Sequence, residues 1–260
     1  MRMLIYFFTI LLAACATATA PPLATQVPIA TPTITPRIFD GNHAYQEYLL
    51  AQMKFGARPA GSAADRATGD YILAQLKESK WKTETQEFAY RNVPIRNVIA
   101  KAAEGRGPII ILGAHYDTRP RADQDKLHPD QPVLGANDGG SGVAVLLGLA
   151  PTLDASKLKN EVWLAFFDAE DNGDLGGCVV APPPCDNAPW GWSVGATYIA
   201  DHLPTKPAAV IVVDMIGDAD QNIYYEYNSD KELQQQIWGV AAQLGYTRQF
   251  IQEYKWSMED

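Results

Sequence analysis

The sequence predicts an α/β fold with a mostly parallel or mixed central sheet and helices on both of its faces. Three continuous apolar runs, at residues 108–114, 161–167 and 208–213, are typical of strands that are buried on both sides. Segments with helical spacing of apolar residues separate these runs along the chain. Alternation of buried strands with helices is the pattern that produces a layered α/β domain.

Further elements are predicted around these three strands. The segment at residues 63–80, for example, places its apolar residues roughly on one face, as in an amphipathic helix. The predicted helices are residues 43–55, 63–80, 141–153, 194–202 and 231–244. The remaining predicted strands are residues 84–90, 95–102 and 222–227.

Length and composition fit one domain and argue against nucleic acid as a partner. The chain has 260 residues, of which 47% are hydrophobic, an ordinary proportion for a packed core. Its net charge of −9 is opposite to the basic surface that nucleic-acid binding requires. Acidic surfaces are otherwise common, so the charge identifies no substrate.

The N-terminus has the pattern of a bacterial lipoprotein leader over residues 1–15. Its apolar run, residues 3–14, is shorter than the roughly 20 residues that a transmembrane helix needs. The run ends in Leu-Ala-Ala-Cys, which resembles a lipobox, in which the cysteine, here Cys15, is lipidated and begins the mature chain. The alternative is an ordinary signal peptide with a chance cysteine. A lipobox implies a protein of the cell envelope, outside the cytoplasm, that is lipid-anchored to a bacterial membrane.

Residues 16–37 are predicted to be a tether between this leader and a folded domain at residues 38–260. The segment consists almost entirely of Ala, Thr and Pro, and such a composition buries too little apolar surface to fold.

Two cysteines in the domain, Cys178 and Cys185, flank a short proline-stiffened loop. An exported protein lies in a compartment that permits disulfides. We expect a disulfide between them, with two free thiols as the alternative.

Ionisable side chains follow the three predicted buried strands at the point where each strand stops. His115 and Asp117 follow the first strand, Glu170 and Asp171 the second, and Asp214 the third. In sheets of this class, ligands gather beyond the carboxyl ends of the strands. These side chains are therefore predicted to share one edge of the sheet.

A glycine-rich loop at residues 135–142 adds Asp138 just before a predicted helix. Carboxylates that converge on one edge repel one another, and a divalent cation removes that repulsion. Imidazole together with carboxylates suits zinc. Each residue alone has a simpler explanation, since a strand-terminal Asp often caps a helix and glycines suit a tight turn. Their joint occurrence in this order predicts a metal site.

Four segments carry a resemblance to a known enzyme family. They are GAHYDT at 113–118, GANDGGSGVAVLL at 135–147, FFDAEDNG at 166–173 and VVDMIGD at 212–218. In this order they resemble the zinc aminopeptidases of metallopeptidase family 28, whose close relatives are the glutaminyl cyclases. The resemblance runs from about residue 44 to the end of the sequence and includes an early Arg-plus-Gly loop. It implies the three-layer sandwich of the zinc exopeptidases.

The resemblance implies a metal-binding role for four residues. Asp138 is expected to bridge two zinc ions, with His115 and Asp214 completing one of the two sites. Asp171 is expected to bind the second ion, at a position where the peptidases usually have glutamate.

Two further residues are implied to act in catalysis. Glu170 is expected to be the general base that takes a proton from the attacking water. Asp117 is expected to orient the imidazole of His115.

The sequence departs from the family pattern after Asp171. A long insertion at residues 173–192 carries Trp190 and Trp192, which either line a substrate pocket or only pin the insertion, and it is closer to the glutaminyl cyclases. The family's last zinc ligand, a later histidine, is missing before the chain ends at Asp260. We therefore expect a C-terminally truncated domain, with two zinc ions in the complete domain and one or fewer in this chain.

The other histidines, His43, His128 and His202, are not expected to replace that ligand. The sequence predicts an extracytoplasmic zinc aminopeptidase that removes N-terminal residues from peptides. One alternative is a glutaminyl cyclase. The other is a non-catalytic lipoprotein that keeps the fold to bind peptides or metal.

Overall fold

The structure, a computed structural model, describes residues 39–177 and 187–255. The predicted leader and tether, the pair Cys178 and Cys185, and residues 256–260 lie outside these ranges. Within them, no helix is both long enough and apolar enough to cross a lipid bilayer.

A five-stranded mixed sheet forms the centre of the domain. Its strands are β1 (Lys82–Tyr90), β2 (Val93–Ala102), β3 (Ile109–His115), β4 (Glu161–Phe167) and β5 (Ala209–Val212). They lie in the order β1-β2-β4-β3-β5. Strand β3 runs parallel to both of its neighbours, whereas β2 is antiparallel to β1 and to β4. The predicted mixed α/β architecture is therefore confirmed.

The predicted helices are all present, with ends that shift by a few residues. Helix α1 is α-helical over Gly41–His43 and Leu50–Met53 and π-helical over Ala44–Leu49. The others are α2 (Ala63–Glu78), α3 (Gly140–Leu149), α4 (Val194–Asp201) and α5 (Lys231–Gln243).

Strand β4 shows why helices cover the sheet on both faces. Successive side chains of a strand point to opposite faces, so alternate residues of β4 enter two separate cores. Val162, Leu164 and Phe166 pack with residues of α1, α2 and α3, whereas Trp163, Ala165 and Phe167 pack with Ile199 of α4. All six are buried, which explains the continuous apolar run in the sequence.

A second, two-stranded sheet follows the central one along the chain. It consists of the parallel strands β6 (Ile223–Glu226) and β7 (Phe250–Lys255), which α5 connects. Trp238 of α5 donates a hydrogen bond from its indole nitrogen to the carbonyl of Ile251 at 3.0 Å. Strand β6 was predicted from the sequence, whereas β7 was not, because β7 includes charged residues and three of its six residues are exposed.

Candidate metal centre

Three strand ends converge at the site. His115 is the last residue of β3, and Asp214 lies two residues beyond the end of β5. Glu170 and Asp171 follow the end of β4. Because β3 is parallel to both β4 and β5, the carboxyl ends of these strands lie at one edge of the sheet.

His115, Asp138 and Asp214 form a compact group of metal-ligating atoms, which we call the donor group. The Nε2 atom of His115 lies 2.9 Å from an Oδ atom of Asp138 and 3.2 Å from an Oδ atom of Asp214. One ligand atom from each of the three residues lies within 4.8 Å of the others. His115 is almost fully buried, and the two aspartates are partly buried. A single small cation bound between these atoms would contact all three residues.

Glycines bring Asp138 to this position. Gly139 has a φ of +70°, which favours glycine, and a Cβ atom there would lie 3.0 Å from the ring of His115. At Gly142, in the first turn of α3, a Cβ atom would lie 2.2 Å from the carbonyl oxygen of Val213. The glycines therefore allow both the tight turn at Asp138 and the close approach of α3 to the residue that follows β5.

The buried carboxylate of Asp117 connects two parts of the site. One oxygen lies 3.4 Å from Nδ1 of His115. Its two oxygens also accept hydrogen bonds from the backbone N–H groups of Glu170 and Asp171, at 3.0 and 3.1 Å. Asp117 therefore contacts the imidazole on the side away from the donor group and holds the segment that carries the next two carboxylates.

Glu170 is mostly buried, and a hydroxyl group restrains its carboxylate. The Oγ–H of Ser193 donates a hydrogen bond to Oε1 of Glu170 at 3.0 Å. The backbone N–H of Ser193 donates to the carbonyl of Glu170 at 3.1 Å. The loop before α4 thereby fixes the glutamate beside the donor group.

At the carboxylate of Asp171, burial and neighbouring carboxylates outweigh the nearby positive charges of His115 and Arg119. Its Oδ2 atom is buried and has no hydrogen-bond partner within the described part of the chain. Burial, with Asp138 and Asp117 as further causes, raises the pKa of Asp171 to about 8. A cation between Asp171 and Asp138 removes both costs, because it satisfies the orphaned oxygen and offsets the repulsion.

The three-residue group is electrostatically adapted to positive charge. Burial lowers the pKa of His115, but its contacts with Asp117, Asp138 and Asp214 raise that pKa well above the usual range. Burial raises the pKa of Asp214, but the hydrogen bond and charge of His115 lower it on balance. The three carboxylates therefore favour a proton on His115. Zinc, which needs the neutral imidazole, competes with that proton.

Three non-glycine residues beside the site adopt left-handed backbone angles. They are Ala169, Ser193 and Met215, with φ values of 57°, 51° and 46°. Each such angle costs about 1–2 kcal/mol. Ala169 and Met215 each adjoin a site residue, Glu170 and Asp214 respectively. The surrounding structure therefore maintains strained backbone where these side chains are positioned.

A cavity of about 300 Å³ opens over the donor group. Its walls include Trp192, 41% exposed, and the loop that follows β3. Trp190 is instead 2% exposed and packs in a core with Ile95 and Val194. Of these two tryptophans, Trp192 is among the residues that line the cavity and Trp190 is not. The ring of Trp190 is buried against β2 and α4.

The remaining histidines lie away from the donor group. His43 belongs to α1, and His128 is exposed in the loop after β3. His202 follows α4, where its Nδ1 lies 2.8 Å from the carbonyl of Tyr198. None of the three belongs to the donor group in the described part of the chain.

Sequence reasoning missed several residues around the cavity. Arg119, Asp123 and Met215 line it, and Ser193 binds Glu170. Arg119 lies two residues after Asp117, and Met215 follows Asp214 directly. Proximity in sequence to predicted site residues was the available signal, but only the folded loops show that these side chains turn toward the cavity.

The layered α/β fold and the donor group together form a candidate metal centre of the kind expected in zinc metallopeptidases. The donor set is imidazole plus carboxylate, which fits zinc, and the orphaned oxygen of Asp171 accommodates a further ligand contact. Residues 97–259 match the sequence model of peptidase family M28, and the chain belongs to this family. This confirms the resemblance found in the four sequence segments.

Solved structures and curated relatives agree with this assignment. The chain is similar to a glutaminyl cyclase from Porphyromonas gingivalis, with 32% identity and a TM-score of 0.75 over 85% of this chain and 78% of that one. A Zn-dependent exopeptidase from Parabacteroides distasonis has 30% identity and a TM-score of 0.74 over 86% of this chain and 79% of that one. Leupeptin-inactivating enzyme 1 from Streptomyces exfoliatus is 26% identical over 240 residues, 88% of this chain and 48% of that protein. The chain spans less than half the length of the curated relatives that it matches.

Proposed function

We propose that this protein is a zinc-dependent aminopeptidase that removes N-terminal residues from peptides. The observation that carries the proposal is the assembled donor group of His115, Asp138 and Asp214, next to the buried Asp171, whose Oδ2 atom has no hydrogen-bond partner among the described residues. In this proposal His115, Asp138 and Asp214 would hold one zinc ion, and Asp138 and Asp171 would be the ligands for a second. When bound, zinc supplies Lewis acidity, which acidifies a water molecule and polarises a peptide carbonyl.

The charge of the cavity favours a substrate with a positive end. Its walls carry the carboxylates of Asp123, Asp125, Asp138, Glu170, Asp171 and Asp214, with Arg119 as the only arginine or lysine among the described lining residues. With two divalent ions bound and His115 neutral, the six carboxylates exceed the positive charges of the ions and Arg119 by one. A free N-terminal ammonium is attracted to such a surface, whereas a C-terminal carboxylate is repelled.

Glu170 is proposed to be the general base. It adjoins the ligands, and its carboxylate is held by the hydroxyl of Ser193. From this position it takes a proton from the attacking water and later delivers a proton to the nitrogen of the leaving peptide. Asp117 is proposed to keep the imidazole of His115 oriented through the contact at Nδ1.

A glutaminyl cyclase is the second candidate, and the insertion before α4 favours it. This segment presents the indole of Trp192 to the cavity, where it forms a flat apolar wall beside the carboxylates. In a cyclase, Glu170 takes a proton from the N-terminal amine of the substrate. This amine attacks the side-chain amide of the same glutamine residue, and ammonia leaves. The same general base therefore serves either reaction.

Product analysis distinguishes the two reactions. The zinc-loaded protein is incubated with two peptides that differ only in an N-terminal leucine or glutamine. An aminopeptidase releases the free N-terminal amino acid, and a cyclase releases ammonia from the glutamine peptide and leaves the leucine peptide intact. Glu170→Gln is the control for contaminating activity, since it should remove either product at unchanged zinc content.

The outcome without any product also has a meaning. If the protein binds zinc and peptide but yields neither product, it is the non-catalytic binding lipoprotein considered as the third interpretation. Failure to bind zinc contradicts the proposed function altogether.

We also propose that the protein is lipid-anchored in the cell envelope. The support is the sequence alone: a short apolar run that ends in a lipobox-like tetrapeptide at Cys15, followed by a segment typical of a tether. This location gives the enzyme access to extracytoplasmic peptides.

A further inference from the structure

Arg119 sits at the base of the loop after β3 and is bound within that loop by a bidentate ion pair. We refer to residues 119–133, several of which line the cavity, as the flap. The Nε and Nη2 atoms of Arg119 lie 2.6 and 2.9 Å from the two carboxylate oxygens of Asp123. The fork geometry of this pair fixes the plane of the guanidinium. The side chain of Arg119 is mostly buried, 13% exposed.

The remaining nitrogen of Arg119 reaches a different element. Nη1 donates hydrogen bonds to the backbone carbonyls of Asp171 and Gly173, at 3.0 and 3.2 Å. Asp117 holds the same segment from its other side by accepting from the N–H of Asp171. The backbone of Asp171 is thus restrained at both its N–H and its C=O groups.

This restraint matters because the side chain of Asp171 is short. One Oδ atom of Asp171 has no hydrogen-bond partner among the described residues, so side-chain contacts do not fix the direction of the carboxylate. An aspartate has one rotatable bond fewer than a glutamate with which to correct an error in backbone position. The position of its oxygens therefore depends closely on the backbone bonds made by Arg119 and Asp117.

The same guanidinium also supports Trp192. Its central carbon lies 5.1 Å from the centre of the indole, within the range of a cation–π contact. The indole packs on the backbone of Gly173, where a Cβ atom would lie 1.9 Å from the ring, and its Nε1–H donates to Asp174 at 3.2 Å. Arg119 thus contacts both the segment at Asp171 and the aromatic wall of the cavity.

We infer that Arg119 is a positioning residue, which holds the Asp171 carboxylate and the Trp192 ring in place by joining the flap to the segment 171–173. The inference rests on the proposed function only in that Asp171 is taken as a metal ligand. Lysine does not replace arginine here, because one ammonium lacks the planar fork that serves a carboxylate and two carbonyls at once.

Two readouts test this role in the full chain. Zinc binding is titrated calorimetrically into the metal-free protein, and amide hydrogen exchange is followed in the segment 170–173. The variants are Arg119→Met, Arg119→Lys and Asp171→Asn, together with the double variant Arg119→Met/Asp171→Asn. The matched control is Arg121→Met, because Arg121 lies in the same flap but pairs with the exposed Asp130.

Arg119→Met should speed exchange in the segment 170–173 and weaken zinc binding about 10–100-fold, the usual effect of losing an outer contact to a ligand. Arg119→Lys should give a partial effect, and it also serves if the methionine variant fails to fold. Arg121→Met should change neither readout. In the Asp171→Asn background, Arg119→Met should weaken zinc binding no further, because both substitutions act on the same ligand.

Three results separate the possibilities. If Arg119→Met matches Arg121→Met in both readouts, Arg119 has no positioning role. If its effect on zinc binding adds fully to that of Asp171→Asn, Arg119 acts by another route and the inference is wrong. If Asp171→Asn itself leaves zinc binding unchanged, the proposed ligand set fails, and hydrogen exchange alone then decides the role of Arg119.

Discussion

Replacing Gly142 with alanine is expected to loosen the metal centre by pushing helix α3 away from the end of β5. A Cβ atom at this position would lie 2.2 Å from the carbonyl oxygen of Val213 and 2.9 Å from the Cβ atom of Ala114. Both neighbours lie in or beside the central sheet, so neither moves as freely as the end of a flexible side chain. To reach even 3.0 Å, α3 and Val213 must separate by about 0.8 Å.

That separation acts directly on the donor group. Asp138 precedes α3 and Asp214 follows Val213, so the two carboxylates move apart together with the backbone. Overpacking of this kind costs about 1–3 kcal/mol, and the better helix propensity of alanine offsets at most about 1 kcal/mol. We expect a net loss of about 1–2 kcal/mol, which lowers the Tm by about 2–8 °C in a domain of this size. Zinc affinity should fall about 10–100-fold.

The assay is thermal unfolding of the metal-free protein together with a zinc titration. Gly239→Ala is the matched control, because Gly239 lies in helix α5 and no described atom lies within 4 Å of a Cβ atom there. This control should leave zinc affinity unchanged and raise stability by up to about 1 kcal/mol. Equal stability and equal zinc affinity of Gly142→Ala and the wild type would refute the conclusion that close packing at Gly142 sets the geometry of the metal centre.

Three further changes have defined outcomes. Glu170→Gln should lower kcat about 10²–10⁴-fold while zinc content stays near that of the wild type, and loss of zinc would instead make Glu170 a ligand. Burial, followed by the charge of Asp117, raises the pKa of Asp168 to about 8. Between about pH 4 and pH 8 its carboxyl group is therefore neutral in the folded protein and ionised in the unfolded protein. The free energy of unfolding falls as the pH rises through this range. Asp168→Asn should therefore gain stability relative to the wild type between pH 5 and pH 8 in urea unfolding with EDTA, and a constant difference would contradict this assignment. Cys15→Ser should block processing or release the protein from membranes into the aqueous phase, and a wild type that is already in that phase with another N-terminus argues against the lipid anchor.

Much of the site was predictable because it depends on chain order and on the direction of parallel strands. The apolar runs of β3, β4 and β5 are recognisable since both faces of these strands are buried. Their carboxyl ends share one edge of the sheet, so the residues after them, including His115 and Asp214, meet whatever the details of packing. The glycine-rich segment around Asp138 was also recognisable in the sequence. A Cβ atom at Gly142 would lie 2.2 Å from the carbonyl oxygen of Val213, so there is no space for a side chain.

The direction of side chains in loops was not predictable. Trp190 and Trp192 are the same residue type and are separated by one residue, yet Trp190 is 2% exposed and Trp192 is 41% exposed. Ser193 adopts a left-handed backbone angle, and Trp190 of the insertion packs against β2. Neither feature produces a periodic pattern of apolar residues in the sequence. Strand β7 was missed for a similar reason, since its pairing with β6 compensates for a weak apolar pattern.

The sequence by itself determined the α/β class and the family. It also predicted which residues are the metal ligands. Only the tertiary structure decided that Asp171 has a buried oxygen without a hydrogen-bond partner among the described residues, and that Arg119 joins the flap to the segment beside it. Arg119 and Asp171 are 52 residues apart in the chain. The hydrogen bond between them exists only because β3 and β4 are adjacent in the sheet, and no local pattern in the sequence encodes that adjacency.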